Sequence, residues 1–179
     1  MPLLYLFLII LIFSALPAFV ILTKRYAAIA TVISKLKIKG YTVKKNRKLW
    51  FTSGLEKAAC ELQFIGKNSV FSVKVIGFYS RKVLLNFISD EKYSILEGAP
   101  KPKKENDGFA VKEKPRYDFS AGLTEEELKK NRRNIILMAE RVPERITAGD
   151  GNAKRRVRIG DSTAEGEIYD CFNFIKLFD

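Results

Sequence analysis

The feature that most constrains this chain is an uncharged apolar run at its N-terminus. Residues Leu3 to Leu22 read LLYLFLIILIFSALPAFVIL, which is 20 residues without a charged side chain. A helix of that length spans about 30 Å, the thickness of the hydrocarbon core of a bilayer. The run therefore predicts a transmembrane anchor over residues 1–23. A cleaved signal peptide is the alternative, but here the basic residues follow the run, and Leu16 stands where a small residue is expected.

The positive charge of the chain is concentrated directly after this run. The formal net charge is +12, and nine basic residues and no acidic residue lie between positions 24 and 48. The rest of the chain holds 23 basic and 20 acidic residues, a net of only +3. Basic residues that flank a span stay in the cytoplasm, so the N-terminus is predicted outside and the remainder inside. The same distribution argues against nucleic acid as a partner, because little positive charge remains elsewhere.

A basic amphipathic helix is predicted over residues 24–39, continuing out of the anchor. Ile29, Val32, Ile33 and Leu36 recur at helical spacing, and Gly40 is a plausible end. This helix is either a stalk or an interfacial helix on anionic headgroups. In the second case the residues predicted to contact lipid are Lys24, Arg25, Lys35, Lys37, Lys39, Lys44 and Lys45.

Apolar and polar residues alternate after Gly40, which predicts a small antiparallel β-meander over residues 40–96 with one buried and one wet face. Tyr41–Val43 and Leu49–Phe51 are predicted to form its first hairpin. The later strands are predicted around Leu62, around Val73, around Leu85 and over residues 92–96.

Residues 97–122 differ from their surroundings in being rich in proline, glycine and lysine. A segment of this length and composition predicts a flexible linker or long loop. The alternative is a partner-binding segment, in which Phe109, Tyr117 and Phe119 are the predicted contacts.

Residues 123–179 are predicted to form one helix and a C-terminal strand that complete a single cytoplasmic domain. Thr124 and Glu127 have the spacing of a capping box, and Pro143 follows the expected helix. Residues 165–178 are rich in aromatic and branched side chains, which predicts the closing strand. The predicted fold class is therefore α+β, with the meander packed against one helix from the C-terminal half.

The sequence predicts no catalytic, metal or cofactor site. The chain has no histidine, which removes the usual general base and most zinc sites. Cys60 and Cys171 are expected to be buried reduced thiols, with a disulfide between them as the alternative. The carboxylates that could group around a metal are Asp90 with Glu91, Glu105 with Asp107, and the set Asp161, Glu165 and Glu167.

The predicted function is that of a single-pass membrane protein with a non-enzymatic cytoplasmic interaction domain, a small subunit of a membrane-associated assembly. Its predicted partners are membrane lipid and either another protein or a second copy. One alternative is an anionic-lipid sensor that uses the basic stretch after the anchor. Another alternative is a membrane-tethered hydrolase or nuclease with an unrecognised carboxylate site.

Overall fold

The protein is an α+β chain with one long N-terminal helix, two short helices and two mixed sheets of five strands each. The computed structural model describes residues 2–46, 55, 58–78, 80, 82–89, 91–97, 111–149 and 154–179, and the elements named here lie within them. The helices are α1 (Pro2–Ile38), α2 (Glu125–Leu128) and α3 (Cys171–Lys176). The strands are β1 (Thr42–Lys45), β2 (Leu62–Ile65), β3 (Ser69–Ile76), β4 (Val83–Ser89), β5 (Lys92–Glu97), β6 (Val111–Glu113), β7 (Asn131–Met138), β8 (Arg145–Ala148), β9 (Arg155–Val157) and β10 (Glu167–Asp170).

Helix α1 passes without a break from the apolar run into the folded domain. Gly40 ends it in the left-handed conformation, with φ +86°. The amide of Gly40 donates to the carbonyl of Lys37, and the amide of Tyr41 donates to that of Leu36. This is the usual way for glycine to satisfy the last carbonyls of a helix, as the sequence predicts.

The first sheet, sheet 1, has the order β1-β2-β3-β7-β10 and forms the middle layer of the domain. Strands β3, β7 and β10 are parallel, whereas β1, β2 and β3 are antiparallel. One face of sheet 1 packs against α1 and α3 through a core that includes Val73, Leu137 and Phe174. The layer of helices and sheet 1 therefore share one apolar interior.

The second sheet, sheet 2, has the order β6-β5-β4-β8-β9 and covers the opposite face of sheet 1. The core between the sheets includes Ile136 and Ile168 from sheet 1 and Leu85, Phe87 and Ile146 from sheet 2. The domain thus has three layers, in the order helices, sheet 1, sheet 2.

The prediction of one antiparallel meander is wrong, although its strands β2, β3, β4 and β5 are confirmed. β2 pairs with β3 and β4 pairs with β5, but the two hairpins belong to different sheets. Ser72 and Lys74, which alternation assigns to a wet face, are 1% and 0% exposed because sheet 2 covers them. The predicted partner of β1 at 49–51 lies outside the described residues, and β1 pairs with β2.

The predicted helix from Thr124 to Val142 is wrong beyond its first turn. The capping box is present, since the Thr124 hydroxyl accepts from the Glu127 amide and the Glu127 carboxylate accepts from the Thr124 amide. Helix α2 nevertheless ends at Leu128, and the chain continues as strand β7. Residues 135–138 are all buried, which suits a central parallel strand that is covered on both faces.

Two further boundaries differ from the predictions. The predicted linker 97–122 contains the edge strand β6, and 98–110 lies outside the described residues. The predicted C-terminal strand is only β10, because Asp170 caps a new helix by accepting a hydrogen bond from the Asn173 amide. Helix α3 then places Phe174 in the core.

We expect Ile136→Ala to lower the free energy of unfolding by about 2–5 kcal/mol, since the side chain is fully buried between two layers and its loss leaves a cavity. Arg132→Ala, an exposed position on the same strand, should change it by no more than about 0.5 kcal/mol. Urea unfolding of the detergent-solubilised chain, followed by circular dichroism, measures both. Equal losses of unfolding free energy in the two variants would contradict the placement of β7 between two layers.

Candidate functional site

The parallel strands give the domain two distinct ends. We name the end at which β3 and β7 finish the basal end, and the end at which they begin the distal end. Helix α1 runs against these strands, because Arg25 binds Glu140 just beyond β7 while Tyr41 lies 3.4 Å from the Ser69 hydroxyl at the start of β3. The N-terminal half of α1 therefore leaves the domain at the basal end.

The N-terminal half of α1 is an apolar surface that the described part of the protein does not cover. Its described large apolar side chains between Tyr5 and Val20 are 40% to 70% exposed. The mean hydropathy of its most apolar 18-residue window is 2.8, and none of that window is buried. The helix is long and apolar enough to cross a membrane, and an apolar surface of this kind is unstable in water.

The C-terminal half of α1 belongs to the core of the domain. Ile29, Val32 and Leu36 are completely buried, and they pack in the same cluster as residues of sheet 1 and α3. The helix cannot swing away from the domain without exposing this surface. One rigid element therefore joins the apolar run to the fold.

An ion pair between Arg25 and Glu140 fixes the point where the two halves meet. Arg25 Nε lies 2.7 Å from Glu140 Oε2, and a second hydrogen bond joins Nη2 to Oε1. The two side chains are only 5% and 4% exposed. Removing both charges from water is costly, so the bidentate geometry is needed to offset that cost.

Gly77 makes room for this ion pair at the end of β3. A Cβ atom at position 77 would lie 2.1 Å from Arg25 Nη2 and 2.4 Å from Nε. Because the guanidinium is held by Glu140, it cannot move aside cheaply. The ends of β3 and β7 and the helix α1 are thus locked together at the basal end.

The residues predicted to contact lipid are not grouped in one place. Arg25 is buried in its ion pair, and Lys44 lies 2.7 Å from Glu127. Lys39 lies 3.4 Å from Asp179 and is exposed. The other exposed members are Lys24, Lys35, Lys37 and Lys45. Lys35 is 13 residues beyond Leu22, which is about 20 Å along the helix axis. Of the exposed members, therefore, only Lys24 adjoins the end of the apolar run.

A second group of charged side chains is buried between the two sheets. Lys74 Nζ lies 3.2 Å from Glu61 Oε1, and Lys114 Nζ lies 2.5 Å from Glu165 Oε1. The two ammonium groups are 5.2 Å and 4.8 Å from the centroid of the Tyr117 ring. We name these five residues the ionic cluster. Charges this deeply buried are tolerated only when they are paired, and each of these is.

The ionic cluster holds the segment after β6 against the sheets. Glu61 Oε2 also accepts the amide of Val75 at 2.8 Å, and Lys74 also donates to the carbonyl of Ala59 at 3.1 Å. The pKa of Tyr117 is raised, first by burial and then by Glu165. These contacts form a structural network in which the polar groups are already hydrogen-bonded or paired.

Tyr117 and Phe119, two of the predicted partner contacts, lie in the interior. They are 7% and 9% exposed, and their rings contact each other edge to face. The Ser72 hydroxyl donates to the carbonyl of Phe119 at 2.6 Å. In this conformation neither ring is available to a partner, and Phe109 lies outside the described residues.

Both cysteines are free thiols. Cys60 lies in the core between the sheets, whereas Cys171 packs against the core on the helical face of sheet 1. Burial raises the pKa of each thiol to about 12, with a further contribution from Glu61 at Cys60 and from Asp170 at Cys171. Both thiols are therefore protonated at neutral pH and weakly nucleophilic, and the alternative of a disulfide between them is not realised.

The described carboxylates of the candidate metal set each have a separate partner. Asp161 accepts the Arg158 amide, and Glu165 belongs to the ionic cluster. Glu167 binds Arg133, and these hydrogen bonds hold the pKa of Glu167 below its usual value. Among the described residues no three histidine, cysteine or acidic side chains lie close enough together to hold a metal ion. Asp90, Glu105 and Asp107 lie outside the described residues, while Glu91 lines an open surface cleft of about 500 Å³.

We expect Arg25→Met and Glu140→Leu each to lower the free energy of unfolding by roughly 3–5 kcal/mol, because each leaves an uncompensated buried partner. The double variant Arg25→Met with Glu140→Leu should recover most of that loss. Lys39→Met, which removes an exposed ion pair just beyond the end of the same helix, should cost at most about 1 kcal/mol. Urea unfolding measures all four, and additive losses in the double variant would contradict a coupled pair.

Comparison with known proteins gives this chain no relative from which a function follows. No protein-family model matches it, no curated protein matches it and no solved structure matches it. Its function must therefore be inferred from the geometry of α1 and the domain.

Proposed function

We propose that this chain is a single-pass membrane protein whose domain is held rigidly at the cytoplasmic face and acts there by binding another protein. The observation that carries the proposal is that one helix serves two environments. Helix α1 is apolar and exposed between Tyr5 and Val20, and it is part of the core between Ile29 and Leu36. Burial of the first part in a bilayer removes the only large apolar surface that the described fold leaves uncovered along α1.

The charge distribution supports a cytoplasmic domain. The nine basic residues between positions 24 and 48 directly follow the apolar run. Basic residues within about 15–20 residues of a span disfavour translocation of the flank that carries them. The N-terminus is then outside, and the basal end of the domain adjoins the inner leaflet.

The distal end favours a protein as the partner. Exposed basic side chains outnumber the exposed acidic ones there. The acidic residues are Glu125, Glu126 and Asp179, of which Asp179 is paired with Lys39. The other basic residues are Lys35, Lys37, Lys67, Lys129 and Arg132. This surface complements an acidic protein surface. Lipid is a poorer partner for it, because a distance of about 20 Å from the bilayer exceeds the screening length of about 8–10 Å.

The topology can be tested with single cysteines in the Cys60→Ser, Cys171→Ser background. We expect Lys37→Cys, which is exposed on α1, to react with a membrane-impermeant maleimide only after cells are permeabilised. Pro2→Cys should react in intact cells, since the N-terminus is outside. The opposite pattern would reverse the topology, and release of the chain by alkaline extraction would exclude an anchor.

The partner can be tested with a photo-cross-linking residue at one exposed site at a time. We expect a discrete adduct from Lys37 or Arg132 at the distal end, and none from Arg156, which is exposed on β9 of sheet 2. Charge reversal in Lys35→Glu with Lys37→Glu should reduce the adduct formed from position 132, because it removes the complementary charge. Membrane retention should not change. Equal labelling from all sites, or no adduct, would contradict the proposal.

A further inference from the structure

The basal end of the domain carries exposed apolar side chains beside the point where α1 leaves it. Phe172, in the first turn of α3, is 66% exposed, and Val142, in the loop after β7, is 41% exposed. Tyr26 on α1 is 38% exposed. Phe172 is not part of the core, because α3 contributes Phe174 to the interior while Cys171 and Ile175 pack against the same cluster.

These residues share the basal end because of the strand pairing. Asp170 at the end of β10 pairs with Met138 at the end of β7, so α3 begins where β7 finishes. The Cys171 thiol lies 3.4 Å from the carbonyl of Ala139. Val142 follows two residues after Glu140, the residue that binds Arg25.

Cationic groups accompany this apolar surface. Lys24 is exposed at the end of the apolar run, and Lys176 Nζ lies 4.1 Å from the centroid of the Phe172 ring. Glu144 is an exposed acid at the same end. Asp170 caps α3, and Glu140 is neutralised by Arg25. An aromatic ring with a lysine beside it is the combination that favours the headgroup layer of a membrane.

The length of α1 fixes how far this surface lies from the bilayer. Arg25 is three residues beyond Leu22, which is about 4.5 Å along the helix axis. The headgroup layer is roughly 5–8 Å thick on each side of the hydrocarbon core. The ion pair between Arg25 and Glu140 therefore sets the basal end at the depth of the headgroups.

We propose that the basal end is a second membrane contact, in which Phe172 and Val142 enter the headgroup layer and Lys24 and Lys176 bind anionic lipid. This inference rests on the proposed anchor, because the anchor sets the depth. It replaces the distal lysines as the lipid-binding residues. The domain then sits on the inner leaflet and is not raised above it on a stalk.

The test uses the full chain in vesicles of phosphatidylcholine and phosphatidylglycerol whose acyl chains are brominated. Trp50 is the only tryptophan, so Trp50→Phe gives a background without tryptophan fluorescence. Into it we place Phe172→Trp or, as the matched control, Ile38→Trp, which is 78% exposed at the distal end of the same domain. We expect the brominated lipid to quench the tryptophan emission at position 172. The emission at position 38 should remain unchanged.

Four other outcomes would overturn the inference, in whole or in part. Unquenched emission at both positions, with the chain still in the vesicle pellet after an alkaline wash, removes the basal contact and leaves the anchor intact. Equal quenching at both positions means that the domain lies on its side. Release by the alkaline wash removes the anchor and the inference together. If quenching at 172 persists unchanged in Lys24→Gln with Lys176→Gln and in pure phosphatidylcholine, the anionic part of the proposal fails.

Discussion

The buried ion pair between Arg25 and Glu140 is the interaction on which the rest of the architecture depends. It joins positions 115 residues apart at the place where α1 changes from an exposed apolar helix to a core helix. An unpaired charge at either position would be strongly destabilising, so the helix has one position along the ends of β3 and β7. The apolar part of α1 and the domain are therefore joined by one continuous helix that is fixed at Arg25.

This fixed position of α1 gives the basic residues between positions 24 and 48 different roles. In the sequence they form one group, and proximity to the apolar run suggests one role for all of them. In the structure Arg25 is an interior residue, Lys44 joins β1 to α2 through Glu127, and Lys35 lies on the far side of the domain from Lys24. Closeness along a helix does not give closeness to the membrane, because each residue adds about 1.5 Å of height.

The sequence predicts the local features well because local rules determine them. The end of α1 follows from Gly40, and the strands β2 to β5 follow from alternation. The run Ile135 to Met138 is different, because consecutive apolar residues suit a buried helix and a doubly covered strand equally. The capping box at Thr124 then favoured the helix, although α2 is a single turn.

The second sheet explains why the predicted solvent-exposed face of the meander is buried. Lys74 alternates with apolar residues and so indicates a wet face, but Glu61 and Tyr117 meet it in the interior. Neither partner can be identified from the neighbours of Lys74 in the sequence. A shift of β3 by one residue would bury the ammonium group without its carboxylate, so the ion pair favours the observed register over that alternative.

The proposed topology also restricts what the distal end can bind. Two copies in one membrane share the same orientation, so their symmetry axis is parallel to the membrane normal, and they meet side by side. Their distal ends then point in the same direction and cannot face each other. The exposed lysines there would in any case repel a second copy. Under this proposal the distal partner would be a different protein with an acidic surface, and self-association would have to use a lateral surface such as the edge strand β6.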